Sequence, residues 1–167
     1  MRKIFAFPNP VNEVAARVVA TGVVIMAVAF LITGWRWLLI VLAVGFLLRV
    51  ASGPRFSPLG QLATKVVVPR LFPSPKLTPG PPKRFAQAVG LTFSVLALVL
   101  FEAVGIGAAK IVIACLAVAA SLEAFVGLCL GCQGFAFLMK IGIIPESVCL
   151  ECADISQRYP DLMDTPG

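Results

Sequence analysis

The stretch CLGCQGFAFLMKIGIIPESVCLEC, residues 129–152, carries two C-x-x-C pairs, Cys129/Cys132 and Cys149/Cys152, with sixteen residues between them. Two thiolates three positions apart can reach one ion and four complete a tetrahedron, so the spacing suits a structural zinc site. The same spacing suits a redox dithiol, where one thiolate attacks a sulfur and the second resolves the mixed intermediate. Spacing alone leaves zinc, an iron–sulfur centre and dithiol chemistry open. The chain contains no histidine, which removes imidazole general-base catalysis. It also has no nucleotide-binding loop, Ser-His-Asp set or metalloprotease motif. The fifth cysteine, Cys115, stands alone in an apolar run and reads as a small packing residue.

The elements that must position these thiols are membrane helices. Of 167 residues, 59% are hydrophobic and 13% charged, against roughly 25% charged in a soluble domain. Mean hydropathy is +0.98. Four apolar runs stand out: about 18–33, 35–48, 85–104 and 111–130. A span needs about 20 residues, range about 17–25. The third and fourth runs fit, and the first fits if it takes in EVAARV upstream. The second is short, so Arg36 and Arg49 are expected to snorkel at its two ends. The amino-terminal segment is proline-bearing and lacks a small-residue cleavage site, so the first run reads as a retained span rather than a signal peptide.

Tight turns near Gly34 and in EAVGIGAAK join the runs in pairs, and a long loop over about 49–84 joins the pairs. The expected fold is therefore all-α: four transmembrane helices as two hairpins. SPLGQLATKVVVPRLF, in the loop, predicts a short amphipathic helix starting at Ser57-Pro58 and lying on the inner leaflet. The proline-rich FPSPKLTPGPPKRF predicts an extended linker. Residues 1–138 form the four-span membrane domain and residues 139–167 a cytoplasmic, cysteine-bearing tail.

Charge orients the helices. Twelve of the 14 Lys and Arg residues fall in the amino-terminal segment, the long loop and the tail, leaving only Arg36 and Lys110 in the short turns. Excess Lys and Arg marks the cytoplasmic side, placing both termini and all four paired cysteines there. This bias accounts for the basic net charge of +6, and a nucleic-acid partner is not expected. In reducing cytosol structural disulfides do not persist, so the thiols either exchange or bind metal.

Two local features bear on reactivity. Cys129 and Cys132 fall at the end of the fourth run, where a helix C-terminus disfavours a thiolate. Activation needs a new helix start, expected near Gln133, or a basic neighbour such as Lys140. FAFLMKIGII reads as an interfacial or re-entrant segment, and PESVCLECADI as a polar helix carrying the second pair. Glu123 lies about two turns inside the fourth run. An acid at membrane depth is either functional, as a proton-linked group, or structural, paired to a cation. The expected partners are Arg17, Arg49 or Arg84, with Arg84 or Arg17 preferred. Glu102, near the outer end of the third run, is expected to be wet.

PPKRFAQAVGLTFSVLALVL, SLEAFVGLCLGC and SGPRFSPLGQL together resemble a domain-of-unknown-function family of bacterial integral membrane proteins. The resemblance spans most of residues 9–138 and rests on Phe85, Gln87, Gly90, Gly127, Cys129, Gly131 and Cys132. It implies a multi-pass protein of the bacterial inner membrane but transfers no settled activity. It implies, loosely, thioredoxin-like or sulfurtransferase partners. Cys149 and Cys152 lie beyond the shared motif. The leading expectation is a membrane thiol protein in which Cys129 and Cys132 exchange disulfide or sulfane sulfur with a cytoplasmic partner. The alternatives are a zinc site on Cys129, Cys132, Cys149 and Cys152, or a non-enzymatic accessory subunit of a larger membrane complex.

Overall fold

The computed structural model describes residues 11–53, 57–71, 77–145 and 148–149. Over these residues the regular structure is helical apart from one two-residue antiparallel ladder, in which β1 (Val11–Asn12) pairs with β2 (Leu77–Thr78). That ladder ties together the starts of two long helices, α1 (Glu13–Thr33) and α5 (Gly80–Ala103). Asn12 caps α1, its Oδ1 accepting from the N–H groups of Val14 and Ala15 at 2.9 and 3.3 Å. Pro81 and Pro82 open α5, where their missing N–H groups cost nothing.

The turn expected near Gly34 is present. Gly34 adopts φ 69°, which a side-chain-bearing residue reaches only at a cost, and its N–H closes on Phe30 O at 2.7 Å. The chain then enters α2 (Arg36–Ser52). Ser57 caps α3 (Pro58–Leu62), which continues through a π-helical stretch, Ala63–Val67, into α4 (Val68–Leu71). After α5, a turn at Gly105 leads to α6 (Ile106–Ser121), which loosens into a second π-helical stretch, Leu122–Val126. The last described helix is α7 (Leu130–Lys140).

Among the described residues, three segments are long and apolar enough to cross a membrane: Glu13–Thr33, Gly80–Ala103 and Ile106–Val126. At 17 residues, α2 is shorter. The dominant contacts run between the two hairpins as well as within one: α2 on α5, α5 on α6, and α6 on α1, with α1 and α2 touching less. Phe30, Leu39, Leu42, Ala97 and Ile113 are fully buried where these helices meet. The outer faces are also apolar. Ile25, Ile32, Val99, Ile111 and Phe125 are exposed, an arrangement that a lipid solvent accommodates and water does not.

Two expectations need correction. Arg49 does not snorkel; it turns inward, is 4% exposed, and lies over the Phe46 ring at 4.5 Å with its Nε donating to Gln87 Oε1 at 2.8 Å. Only Arg36 behaves as expected, reaching Glu102 in an exposed ion pair at 2.6 Å. Cys115 is not a packed core residue but lies on the exposed face of α6. The expected loop helix forms, and its buried Ala63 and Val68 pack on Ala15 and Val19 of α1.

Candidate dithiol site at the start of α7

The π-helical stretch sets up the site. Its wider turn ends at Gly127, with φ 78°, where the left-handed conformation stops the helix. The N–H of Leu128 closes back on Leu122 O at 3.1 Å. Carbonyls near a helix end lack partners within the helix. Here Arg17 of α1 supplies them: its Nε donates to Ala124 O at 3.1 Å and its Nη2 to Phe125 O at 2.8 Å. With the chain stopped at Gly127, Cys129 takes extended backbone, φ −88° and ψ 103°, and becomes the N-cap of α7.

This overturns the placement of the first pair at a helix C-terminus. The new helix begins at Leu130, three residues before the expected start near Gln133. The reversal matters for the chemistry, because the N-terminal end of a helix carries the positive end of the macrodipole and stabilises a thiolate. Cys129 Sγ accepts from the Cys132 N–H at 3.3 Å and from the Cys132 thiol at 2.7 Å. The thiol hydrogen bond from Cys132 is the largest influence holding the Cys129 thiol below its usual value; burial and Glu123 oppose it, and the Lys83 charge and the Cys132 N–H reinforce it. The same hydrogen bond, with burial and the neighbouring thiolate, pushes Cys132 strongly up. One proton is thus shared on the Cys132 side of the pair.

Glu123 is in the second π-helical stretch and pairs with Lys83, in the first turn of α5, at 2.6 Å. Neither preferred partner is used. Arg84 donates instead to Val50 O at 3.0 Å, and Arg17 is engaged with the two carbonyls. Lys83 and Arg84 are adjacent, so composition could not tell them apart. The helical turn points one inward and the other outward: Lys83 is 6% exposed. Sequence reasoning therefore missed Lys83, and it also missed Arg49 as an interior group. The only available signal for Lys83 was its position next to the helix-opening prolines.

The site is held together by close packing of α7 on α5. A Cβ on Gly131 would lie 2.5 Å from both Cα and Cβ of Ala86, so only glycine permits this approach. Phe85 and Phe135 meet beside it as a tilted ring pair with centroids 5.7 Å apart. An open cleft of about 860 Å³ borders the thiols, lined by Lys83, Cys129, Cys132, Gln133, Met139 and Cys149 among others. Cys129 is buried and Cys132 half-buried, and both line this cleft.

The second pair is only partly within view. Cys149 lines the same cleft and is disulfide-bonded, whereas Cys129 and Cys132 are free. Cys152, and the helix expected over PESVCLECADI, fall largely outside the described residues. Among the described residues no three His, Cys, Asp or Glu side chains come together as a metal-ligand set. A zinc site would need Cys149 as a free thiolate beside Cys129 and Cys132.

No curated protein and no solved structure matches the chain. Residues 11–140, from β1 to the end of α7, match the family described as Domain of unknown function (DUF4395). Because that match takes in most of the chain, including the first C-x-x-C pair and the helices that carry it, the protein belongs to the DUF4395 family.

Proposed function

We propose that this protein is a membrane dithiol that exchanges disulfide, or sulfane sulfur, with a thiol protein on the cytoplasmic side. The observation that carries this reading is Cys129 at the N-cap of α7, accepting from both the N–H and the thiol of Cys132. In disulfide exchange, the Cys129 thiolate attacks one sulfur of the partner's disulfide. A Cys129–partner S–S bond forms, the partner's S–S bond breaks, and its second sulfur leaves as a thiolate that takes up a proton. Cys132 then loses its proton and attacks Cys129 Sγ, closing the Cys129–Cys132 disulfide and releasing the partner as a dithiol. The short Sγ–Sγ distance makes that second step local. Suitable partners are thioredoxin-like or sulfurtransferase proteins, whose own reactive sulfurs are exposed.

In the same reading α2 forms a fourth crossing beside α5, giving four spans in a bacterial inner membrane with both termini cytoplasmic. The charge asymmetry supports the orientation. A Cys132→Ser variant tests the function. It should trap a mixed disulfide with an oxidised thioredoxin-like protein that the wild type resolves. Failure to trap with any accessible protein disulfide, while Cys129 remains alkylatable, sinks the exchange reading.

A zinc site is the second reading, favoured by Cys149 lining the cleft that Cys129 and Cys132 line. Metal analysis separates the two. About one zinc per chain, lost together with thiol protection on chelation, supports the metal site; metal-free, alkylatable Cys129 supports exchange.

A further inference from the structure

Cys129 borders two cavities. Besides the open cleft, it lines a second, partly open cavity of about 310 Å³ between the helices, at the lower end of the range for small-molecule sites, about 300–1,000 Å³. The walls are apolar and aromatic, from Val23 of α1, Phe46 of α2, Phe85 and Phe93 of α5, and Leu116 of α6. The lining also includes Gln87, Cys115, Glu123 and Cys129.

Gln87 is oriented from behind. A guanidinium only donates, so the Gln87 oxygen must face Arg49 Nε, 2.8 Å away, and its amide N–H groups point elsewhere. Arg49 is 4% exposed, and its Nη2 has no hydrogen-bond partner. A buried cation standing behind an amide donor favours a ligand oxygen on which negative charge develops. A lipid tail in this cavity would leave the Gln87 N–H groups unpaired, at a cost of about 1–3 kcal/mol each. A flat, apolar ring bearing carbonyl acceptors would satisfy them.

We propose that this cavity binds the ring of a bilayer-dissolved quinone, which oxidises the Cys129–Cys132 dithiol. This rests on the exchange reading, runs the same reversible exchange in the opposite direction, and names the electron acceptor that forms the Cys129–Cys132 disulfide for it. The electrons balance: two thiols lose two electrons and two protons to form one S–S bond, and the quinone gains both to become a quinol. The Cys129 thiolate adds to the ring, placing negative charge on a carbonyl oxygen near Gln87. Cys132 then loses its proton and attacks Cys129 Sγ. The carbon–sulfur bond breaks and its electron pair passes to the ring as quinol. The protein emerges oxidised, competent to receive electrons from a cytoplasmic dithiol through the open cleft.

The test uses the full chain in lipid vesicles, with the dithiol reduced and excess reductant removed under anaerobic conditions. Decylubiquinone is added while quinone absorbance and protein thiols are followed. Exchange with oxidised dithiothreitol is measured on the same preparation. The expected result is two thiols lost per quinone reduced, at a rate at least ten-fold above Cys129→Ser vesicles. Exchange without quinone reduction above that control overturns the quinone proposal and leaves the exchange reading standing. Loss of both overturns both. Gln87→Leu and, as a cavity-filling alternative, Val19→Phe should each lower the quinone rate at least ten-fold relative to dithiothreitol exchange. An unchanged ratio in both variants overturns the placement of the quinone in this cavity.

Discussion

Lys83 Nζ lies 2.6 Å from Glu123 Oε1, with side chains 7% and 14% exposed, joining the first turn of α5 to the π-helical end of the α6 segment beside the dithiol. A buried pair of this kind is costly to break from one side, about 3–5 kcal/mol, because the remaining charge has no compensation. Glu123→Gln should therefore lower the unfolding midpoint in detergent markedly. The double variant Lys83→Met/Glu123→Leu should recover much of the loss. A single variant as stable as wild type would mean that the pair is solvated.

The reactivity of Cys129 should depend on Cys132. Because the hydrogen bond from Cys132 is the largest influence depressing Cys129, iodoacetamide should label Cys129 at a pH where an ordinary thiol, of pKa about 8.5, is mostly protonated. In Cys132→Ala the midpoint of the labelling profile should move up. An unmoved midpoint would assign the depression to the helix start alone.

These shifts also carry a stability signature. Cys129 is depressed in the fold, so its contribution is present above about pH 8.5 and is lost as pH falls through the depressed value. Cys132 is raised, so its contribution is present below about pH 8.5 and is lost as pH rises. Replacing Cys132 with Ala should remove its own alkaline loss and shrink the acid-side loss from Cys129, because the hydrogen bond that depresses Cys129 goes with it. A chemical-denaturation series across pH on both proteins measures the difference.

Gly131 should not tolerate a side chain. A Cβ there meets Ala86 backbone and side chain at 2.5 Å, and neither can swing away. Gly131→Val should push α7 off α5, raise the alkylation rate of the buried Cys129, and lower stability by about 1–3 kcal/mol. Wild-type protection of Cys129 in this variant would show that α7 is not held by this contact.

Arg17 should act as a cap for the α6 segment. Removing its guanidinium in Arg17→Met leaves the Ala124 and Phe125 carbonyls without that donor, a loss of about 1–3 kcal/mol. Faster amide hydrogen exchange over Leu122–Leu128 is the expected readout. Unchanged exchange there would mean that other donors hold the segment.

Composition, hydropathy and turn residues determined that this chain is all-α and apolar on the scale of a membrane protein, and roughly where α1, α2, α5 and α6 lie. Those are local properties: an apolar run of given length has few folded solutions in lipid, and a glycine with positive φ ends a helix whatever surrounds it. The C-x-x-C pair was legible for the same reason, as a spacing within one segment. Which end of a helix it occupies was not. That depended on the π-helical stretch stopping at Gly127, with Arg17 of α1 holding carbonyls 107 and 108 positions away. Likewise Lys83, not Arg84, reaches Glu123, and Arg49 turns inward to Gln87, because the rotation of α5 against α2 and α6 selects among neighbouring cations that share one charge. Only packed helices choose between a lysine facing an acid and an arginine one residue later facing a carbonyl, and that choice sets the electrostatics around Cys129.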